Sequence, residues 1–320
     1  MCIRDSYISV ICRPSRLQLN ITLNSTLATH IKFFKMVQYA NFLFPLYVYP
    51  INNAWEPLTS AAAQYPDVTF TAVINPSTGP GAPDENGCPN KDFVEGIASL
   101  NKYPNIHTMG YVHTANRWDC GTSGKDICFC TAPPADVKAN ITTYASWETK
   151  GCEGWSTVNP DIHIDSIFID EAPGRDGGDC LNYMADLTNH AKSSMTTATG
   201  GEVLFNAGAA TELSYFDVAD VIIILEDTQA AYEAIPDIGV RNGNGKYAQK
   251  SSIIIHSATN ATDTIQRDTS TVLGLDRDAF HSLFYTDRST DQYAYFPYDW
   301  AEIVKEVNVV AQANKAILGA

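Results

Sequence analysis

Basic residues are scarce in this sequence. The chain of 320 residues has 21 lysines and arginines against 36 aspartates and glutamates, which gives a formal net charge of -15 at pH 7. Binding to a nucleic-acid backbone or to an anionic membrane surface depends on clustered positive charge. The charge balance therefore argues against both partners and favours a neutral or cationic ligand.

Long apolar runs and a common cofactor motif are also missing. No stretch reaches the roughly 18 apolar residues of a membrane-spanning helix. No Gly-x-Gly-x-x-Gly motif follows the first predicted strand, which argues against the usual dinucleotide-binding fold. We therefore expect no membrane span and no cofactor.

The cysteines lack the spacing of a zinc site. The chain has eight cysteines, six of them between Cys88 and Cys180, and Cys120, Cys128 and Cys130 lie close together. The single residue between Cys128 and Cys130 is shorter than zinc spacing, and no His-x3-5-His motif follows. We expect disulfides formed in an oxidising compartment, with a metal site as the alternative. The sequence does not select among the pairings.

The first residues differ from the rest of the chain. Basic residues are scattered there among short apolar stretches, with no sustained period and no recognisable cleavage site for a signal peptide. We expect residues 1–38 to be an unstructured or degenerate leader, or an artefact of gene prediction with the true start at Met36, and residues 39–320 to form one domain. Sequons at Asn20, Asn24, Asn140 and Asn260 are compatible with a secreted or cell-surface glycoprotein.

Strand-like and helix-like segments alternate through the folded part. Apolar and aromatic runs predict strands at 42–49, 68–75, 106–113, 164–170, 202–206, 220–226, 251–256 and 280–286. Helices are predicted at 55–65, 91–102, 134–147, 180–198, 229–235, 260–273 and 299–317, with only a turn or two at 211–216. Eight strand-then-helix units predict an α/β fold, a single (β/α)8 TIM-type barrel with decorated loops, rather than an open sheet.

Two predicted strands end in acidic pairs. The run IFI precedes Asp170 and Glu171, and the run VIIIL precedes Glu226 and Asp227. Ligands of parallel α/β folds bind beyond the carboxyl ends of the strands. One such pair alone also fits solvated loop acids or a helix cap, whereas two pairs favour a functional site. Two carboxylates on different strand ends are what glycoside hydrolysis requires.

Other polar and aromatic residues fall at the same predicted rim. They are Tyr47, Tyr49, Asn75, Tyr111, His113, Asn206, His256, Tyr285 and Asp287. Aromatic rings stack on sugars, and amide and imidazole groups bind hydroxyls. Each residue alone also fits a turn, a cap or the core. Together they predict a sugar-binding groove, lined by Tyr47, Tyr111 and Tyr285.

Several ordered motifs resemble the spherulin-4 family. They are FPLYVYP at 44–50, WxPL at 55–58, VINPSxGPG at 73–81, GYVxT at 110–114, YxxW at 144–147 and IFIDE at 167–171. The resemblance runs from about residue 41 to the C-terminus. It implies a (β/α)8 fold and the activity of secreted or cell-surface fungal glycoside hydrolases, family 135, on galactosamine-containing polysaccharide. The acidic residues of that family match Asp170, Glu171 and Glu226.

The resemblance implies a monomeric, endo-acting hydrolase of an amino-sugar polysaccharide resembling galactosaminogalactan. The long segment from Cys120 to Cys130 departs from the family pattern, so the groove wall beside His113 and the identity of the polymer are open. The family also includes members known for expression during encystment. A non-catalytic wall or spore-coat protein that binds carbohydrate is therefore the alternative.

The strand geometry predicts how the acids divide the catalytic work. Adjacent side chains of a regular strand point to opposite faces, so only one of Asp170 and Glu171 can aim into the barrel with Glu226. Strands four and six lie about 10 Å apart, which allows the carboxyl separation of about 5 to 5.5 Å in retaining enzymes and also the roughly 6.5 to 9.5 Å of inverting ones. We favour retention, with Asp170 as nucleophile and Glu226 as acid/base. Glu171 either orients a hydroxyl or replaces Asp170 if the strand is bulged.

Overall fold

Eight parallel strands close into a barrel in chain order, from β1 to β8 and back to β1. The computed structural model describes residues 39–319 apart from 85, 116–127, 175–178, 196–200 and 277, so the predicted leader at 1–38 lies outside the described residues. The strands are β1 Ala40–Leu46, β2 Val68–Ile74, β3 Ile106–His113, β4 Ser166–Asp170, β5 Val203–Asn206, β6 Val221–Thr228, β7 Ser251–His256 and β8 Ser282–Tyr285. The predicted (β/α)8 fold is confirmed.

Helices connect the strands. Those in the described part of the chain are α1 Glu56–Gln64, α2 Lys91–Leu100, α3 Pro134–Ser146, α4 Asp179–Ser194, α5 Gln229–Glu233, α6 Thr262–Leu273 and α7 Trp300–Leu318. After β5 the chain forms only a 3-10 turn at Leu213–Asp217, which agrees with the turn predicted there. No helix in the described ranges is long and apolar enough to cross a membrane.

Most strand residues are buried on both faces of the sheet. Every residue of β1 and β2 is buried, as expected where helices cover the outside of a parallel barrel and side chains fill its inside. Gly110 of β3 shows how tightly a helix packs there: a Cβ atom at this position would lie 2.6 Å from the ring of Tyr144 in α3. The Tyr144 hydroxyl reaches β2 and donates a hydrogen bond to the carbonyl of Ile74, 3.0 Å away.

Strand β6 contains an irregularity that sets the direction of Glu226. Its register against β7 shifts between Ile223 and Leu225, so an extra residue is inserted. Asn206 faces the barrel interior and pairs with Ile223. Because Glu226 follows Ile223 by three positions, a regular strand would direct it to the opposite face, and the shift brings it back to the interior. The strand then continues to Thr228. The prediction that β6 ends at Glu226 was therefore wrong, because pairing with β7 extends through Asp227 and Thr228.

Disulfides fasten several of the loops that connect strands and helices. Cys88 pairs with Cys152, Cys130 pairs with Cys180, and Cys128 is also disulfide-bonded. These pairings confirm the predicted disulfides for five cysteines, whereas Cys120 lies outside the described residues. Within the described ranges, no group of three or more His, Cys, Asp or Glu side chains could hold a metal ion.

Candidate active site

A cavity of about 420 Å³ opens at the carboxyl ends of the strands. Its lining consists of Pro45, Tyr47, Phe129, Phe168, Asp170, Glu171, Asn206, Ala207, Gly208, Glu226, Ile254, His256 and Tyr293. Carboxylates, an amide, an imidazole and tyrosines thus face one space. Such a mixture of apolar walls and a few convergent polar groups is typical of a ligand site.

One amide joins the two strand carboxylates. The Nδ2 of Asn206 donates to Asp170 Oδ1 at 2.9 Å and to Glu226 Oε2 at 2.7 Å. These two oxygens cannot be further apart than the sum of the bonds, 5.6 Å. The cavity therefore holds a close carboxylate pair, with β5 placing the shared donor between β4 and β6.

Two tyrosines complete the hydrogen bonds of the pair. The Tyr111 hydroxyl donates to Asp170 Oδ2 at 2.7 Å, and the Tyr293 hydroxyl donates to Glu226 Oε1 at 2.5 Å. The Tyr47 ring packs edge-on against both tyrosines, with centroids 5.7 Å from each. All four carboxyl oxygens thus have donors that fix the orientation of the acids.

Asp170 has a perturbed acidity. Burial raises the pKa of its carboxyl to about 6, the hydrogen bond from Tyr111 opposes this rise, and the negative charge of Glu226 adds to it. A buried carboxyl near a second one is costly to ionise, because burial disfavours the charged form and the second carboxylate repels it. Shifts of this kind cluster at functional sites.

Glu171 leaves the strand geometry. Its backbone φ is 53°, in the left-handed region, so the alternation expected of a regular strand stops at Asp170. Both Asp170 and Glu171 consequently line the cavity, whereas strict alternation would have directed only one of them there. Glu171 Oε2 lies 3.4 Å from Nδ1 of His113, and the carboxylate raises the pKa of that histidine.

Of the remaining predicted residues, one lines the cavity and the others lie outside it. His256 lines the cavity, and its Nδ1 lies 3.0 Å from the hydroxyl of Ser257. Tyr49 lies on the surface beyond the cavity, and its side chain contacts residues at the start of α2. Asn75 organises the loop after β2, because its Oδ1 accepts a hydrogen bond from the Gly79 amide at 3.0 Å.

Tyr285 and Asp287 also lie outside the cavity lining. The Tyr285 ring is fully buried in β8, and its hydroxyl donates to the Thr259 carbonyl at 3.3 Å. The Asp287 carboxylate accepts hydrogen bonds from the amides of Tyr298 and Asp299, so it shapes the loop before α7. Both residues occupy the rim region without facing the acids.

Sequence reasoning missed two aromatic members of the site that lie in loops. Tyr293 and Phe129 line the cavity although both belong to loops rather than strand ends. The aromatic run YAYFPY at 293–298 was a usable signal for Tyr293. The backbone amide of Tyr47 donates to the Tyr293 carbonyl at 3.2 Å, which fixes this loop against β1.

Comparisons with known proteins identify the family of this chain. A family model described as "Spherulation-specific family 4" matches residues 41–307. The crystal structure of Aspergillus clavatus Sph3 in complex with GalNAc is similar at 28% identity and a TM-score of 0.70, over 84% of this chain and 97% of that one. The glycoside hydrolase domain of PelA from Pseudomonas aeruginosa is similar at 11% identity and a TM-score of 0.43, over 80% of this chain and 96% of that one. A search of curated proteins finds no match. Because the family model covers most of the chain and includes all three cavity acids, this protein belongs to the Spherulin4 family.

Proposed function

We propose that this protein is a glycoside hydrolase that cleaves internal glycosidic bonds of an amino-sugar polysaccharide, with Asp170 and Glu226 as the catalytic pair. The observation that carries the proposal is the pair itself, held by one amide in a polar cavity at the carboxyl end of the barrel. Membership of the Spherulin4 family and similarity to a structure bound to GalNAc support the substrate class.

The carboxyl separation supports retention of anomeric configuration. Retaining enzymes hold their carboxyl groups about 5 to 5.5 Å apart, whereas inverting enzymes need roughly 6.5 to 9.5 Å to admit a water molecule. The upper limit of 5.6 Å between Asp170 Oδ1 and Glu226 Oε2 lies below the inverting range and is compatible with the retaining one. The double displacement therefore fits this site better than single displacement by water.

In the first step an oxygen of Asp170 attacks the anomeric carbon. Protonated Glu226 gives its proton to the glycosidic oxygen, the carbon–oxygen bond breaks, and a glycosyl ester forms on Asp170. In the second step the Glu226 carboxylate takes a proton from water, the water oxygen attacks the anomeric carbon, and Asp170 leaves as a carboxylate. Tyr111 and Asn206 orient Asp170 through their hydrogen bonds.

Glu171 and His113 have a positioning role in this proposal. Their contact lies beside the pair, and Glu171 also lines the cavity. A carboxylate paired with an imidazole is suited to accept a hydrogen bond from a sugar hydroxyl. His256, on the opposite wall, supplies a further polar contact.

Charge and disulfides fit a polysaccharide substrate outside the cell. A net charge of -15 attracts a partly deacetylated, cationic polymer, and added salt should weaken that attraction. Disulfides persist in oxidising compartments, which supports secretion or a cell-surface location. We expect the enzyme to act as a monomer.

A reducing-end assay over a panel of amino-sugar and neutral polysaccharides tests the proposal. The wild type should release oligosaccharides from an amino-sugar polymer, and Glu226→Gln should lose turnover while retaining its fold and binding. Asp227→Asn is the matched control, since Asp227 is an exposed neighbour in β6. A wild type that releases no product from any polymer would favour the non-catalytic wall protein. An undiminished rate in Glu226→Gln would refute the catalytic assignment.

A further inference from the structure

We propose that Tyr49 and Trp155 form a second saccharide-binding surface, which holds the polymer outside the catalytic cavity. We call Tyr49, Asn90, Lys91, Asp92 and Trp155 the aromatic platform. The inference rests on the proposed function for the identity of its ligand. Its chemistry is independent of the catalytic carboxylates.

Two large rings are exposed in the platform. Trp155 is 73% exposed and Tyr49 is 46% exposed. Single exposed aromatic residues are common, but these two share one partner: Tyr49 donates its hydroxyl to Asp92 Oδ2 at 2.9 Å, and Trp155 donates its indole N–H to Asp92 Oδ1 at 2.8 Å. One carboxylate therefore fixes the polar edges of both rings while leaving ring surface open to solvent.

The backbone that carries the platform is fastened on both sides. Asn90 caps α2 by accepting a hydrogen bond from the Phe93 amide, and its Nδ2 donates to the Tyr49 hydroxyl at 3.0 Å. The loop of Trp155 is tied by the Cys88–Cys152 disulfide, and Glu95 of α2 accepts the Ser156 amide at 2.6 Å. Fixing the rings before binding reduces the entropy lost when a ligand is bound.

The platform continues from the catalytic cavity. Tyr47 lines that cavity, and Tyr49 follows it by two residues, a distance of about 7 Å at most. The Tyr49 ring also packs edge-on against Phe93 at 5.4 Å, which directs it towards α2 and Trp155. A polymer that fills the cavity and leaves it over β1 therefore meets Tyr49 first and Trp155 next.

The chemistry of the platform favours a neutral sugar ring. The apolar face of a pyranose packs on an aromatic ring, while Asp92 and Asn90 offer polar groups to its hydroxyls. Lys91 places its ammonium group 5.2 Å from the centroid of the Trp155 ring. The Lys91 ammonium already makes the cation–π contact with Trp155 that the ammonium group of a deacetylated amino sugar would make. Its positive charge also repels that second ammonium group. We therefore expect N-acetylated or uncharged residues of the polymer to bind here.

Binding measured in an inactive background tests the platform. The parent is full-length Glu226→Gln, and the probe is a set of fluorescently labelled galactosaminogalactan fragments, long enough to extend beyond the cavity. Adding Trp155→Ala should weaken binding at least tenfold, and adding Trp155→Phe should recover part of that loss because a ring remains. Adding Val158→Ala is the matched control, since Val158 is 75% exposed in the same loop, and should leave the affinity unchanged.

The outcomes separate this inference from the proposed function. If Trp155→Ala binds the fragments as tightly as the parent, with the same unfolding temperature, the platform is refuted even when the wild type cleaves the polymer. An equal loss with Val158→Ala would also refute it, because the effect would then belong to the loop rather than to the ring. If the wild type cleaves nothing but binding depends on Trp155, the platform stands and the hydrolase assignment fails.

Discussion

Replacing Asp170 by Asn should remove activity. It should also stabilise the protein relative to the wild type by an amount that depends on pH. Burial raises the pKa of Asp170 from 3.8 to about 6 in the folded protein. The folded state therefore binds this proton more tightly than the unfolded state between these two values. As pH rises through that window, ionisation of Asp170 lowers the free energy of unfolding of the wild type, whereas the Asp170→Asn variant, whose amide stays neutral, has no such loss.

The size of the effect follows from the shift. One pKa unit corresponds to about 1.4 kcal/mol, so a shift from 3.8 to about 6 amounts to about 3 kcal/mol. In domains of about 150 to 250 residues, 1 kcal/mol changes the unfolding temperature by roughly 2 to 4 °C, and the larger unfolding entropy of this chain favours the lower value. The difference in unfolding temperature between Asp170→Asn and wild type should thus grow by several degrees between about pH 4 and pH 7 and then level off.

Thermal unfolding at a series of pH values measures this difference directly. Constant contributions, such as altered hydrogen bonds to Tyr111 and Asn206, shift the difference equally at every pH and do not imitate the trend. Asp227→Asn is the control, because its side chain is exposed, and its difference from wild type should stay small throughout. A flat difference for Asp170→Asn from pH 4 to pH 8 would refute the argument that burial holds a proton on Asp170.

Four further outcomes are expected. In its proposed role as nucleophile, Asp170 must be ionised, so kcat/KM should fall with decreasing pH below about 6; a plateau down to pH 4 would contradict that role. Tyr293→Phe removes the hydrogen bond to Glu226, and kcat should fall while the unfolding temperature changes little; an unchanged pH–rate profile would argue against the contact. Gly110→Ala forces a methyl group into the Tyr144 ring and should cost roughly 1 to 3 kcal/mol of stability by denaturant unfolding. NMR of fresh product should show the retained anomer, whereas the inverted anomer would exclude the double displacement.

The fold was predictable because its signals are local and repeated. Buried strands of a parallel barrel are apolar on both faces, and the bounds predicted for β3 and β7 agree with the structure. The predicted rim was also informative, since Asp170, Asn206 and Glu226 do lie in hydrogen-bond contact. What these residues share is a position near a strand end, which a pattern of apolar residues reveals.

The rest of the site depends on interactions that no local pattern encodes. Glu171 enters the cavity because its backbone is left-handed, a state that is uncommon for glutamate and is maintained by its surroundings. Tyr293 reaches Glu226 from a loop 67 residues later in the chain. Tyr285 pairs with Ile255, which alternates with the lining residue Ile254, so its side chain faces away from the cavity and its hydroxyl bonds to the Thr259 carbonyl. Such positions follow from tertiary packing.

The extra residue in β6 makes the direction of the Glu226 side chain depend on strand pairing rather than on the number of residues in the strand. Deleting Ile224 would leave Leu225 opposite Ile253 and Glu226 opposite Ile254, so the ladder against β7 would be uninterrupted and Glu226 would still face the cavity. A slip of one residue in this pairing would instead turn Glu226 towards the helices, although every acid of the site would still be present in the sequence. An acidic motif in the sequence therefore brings Glu226 next to Asn206 and Asp170 only where the pairing of β6 with β7 is kept.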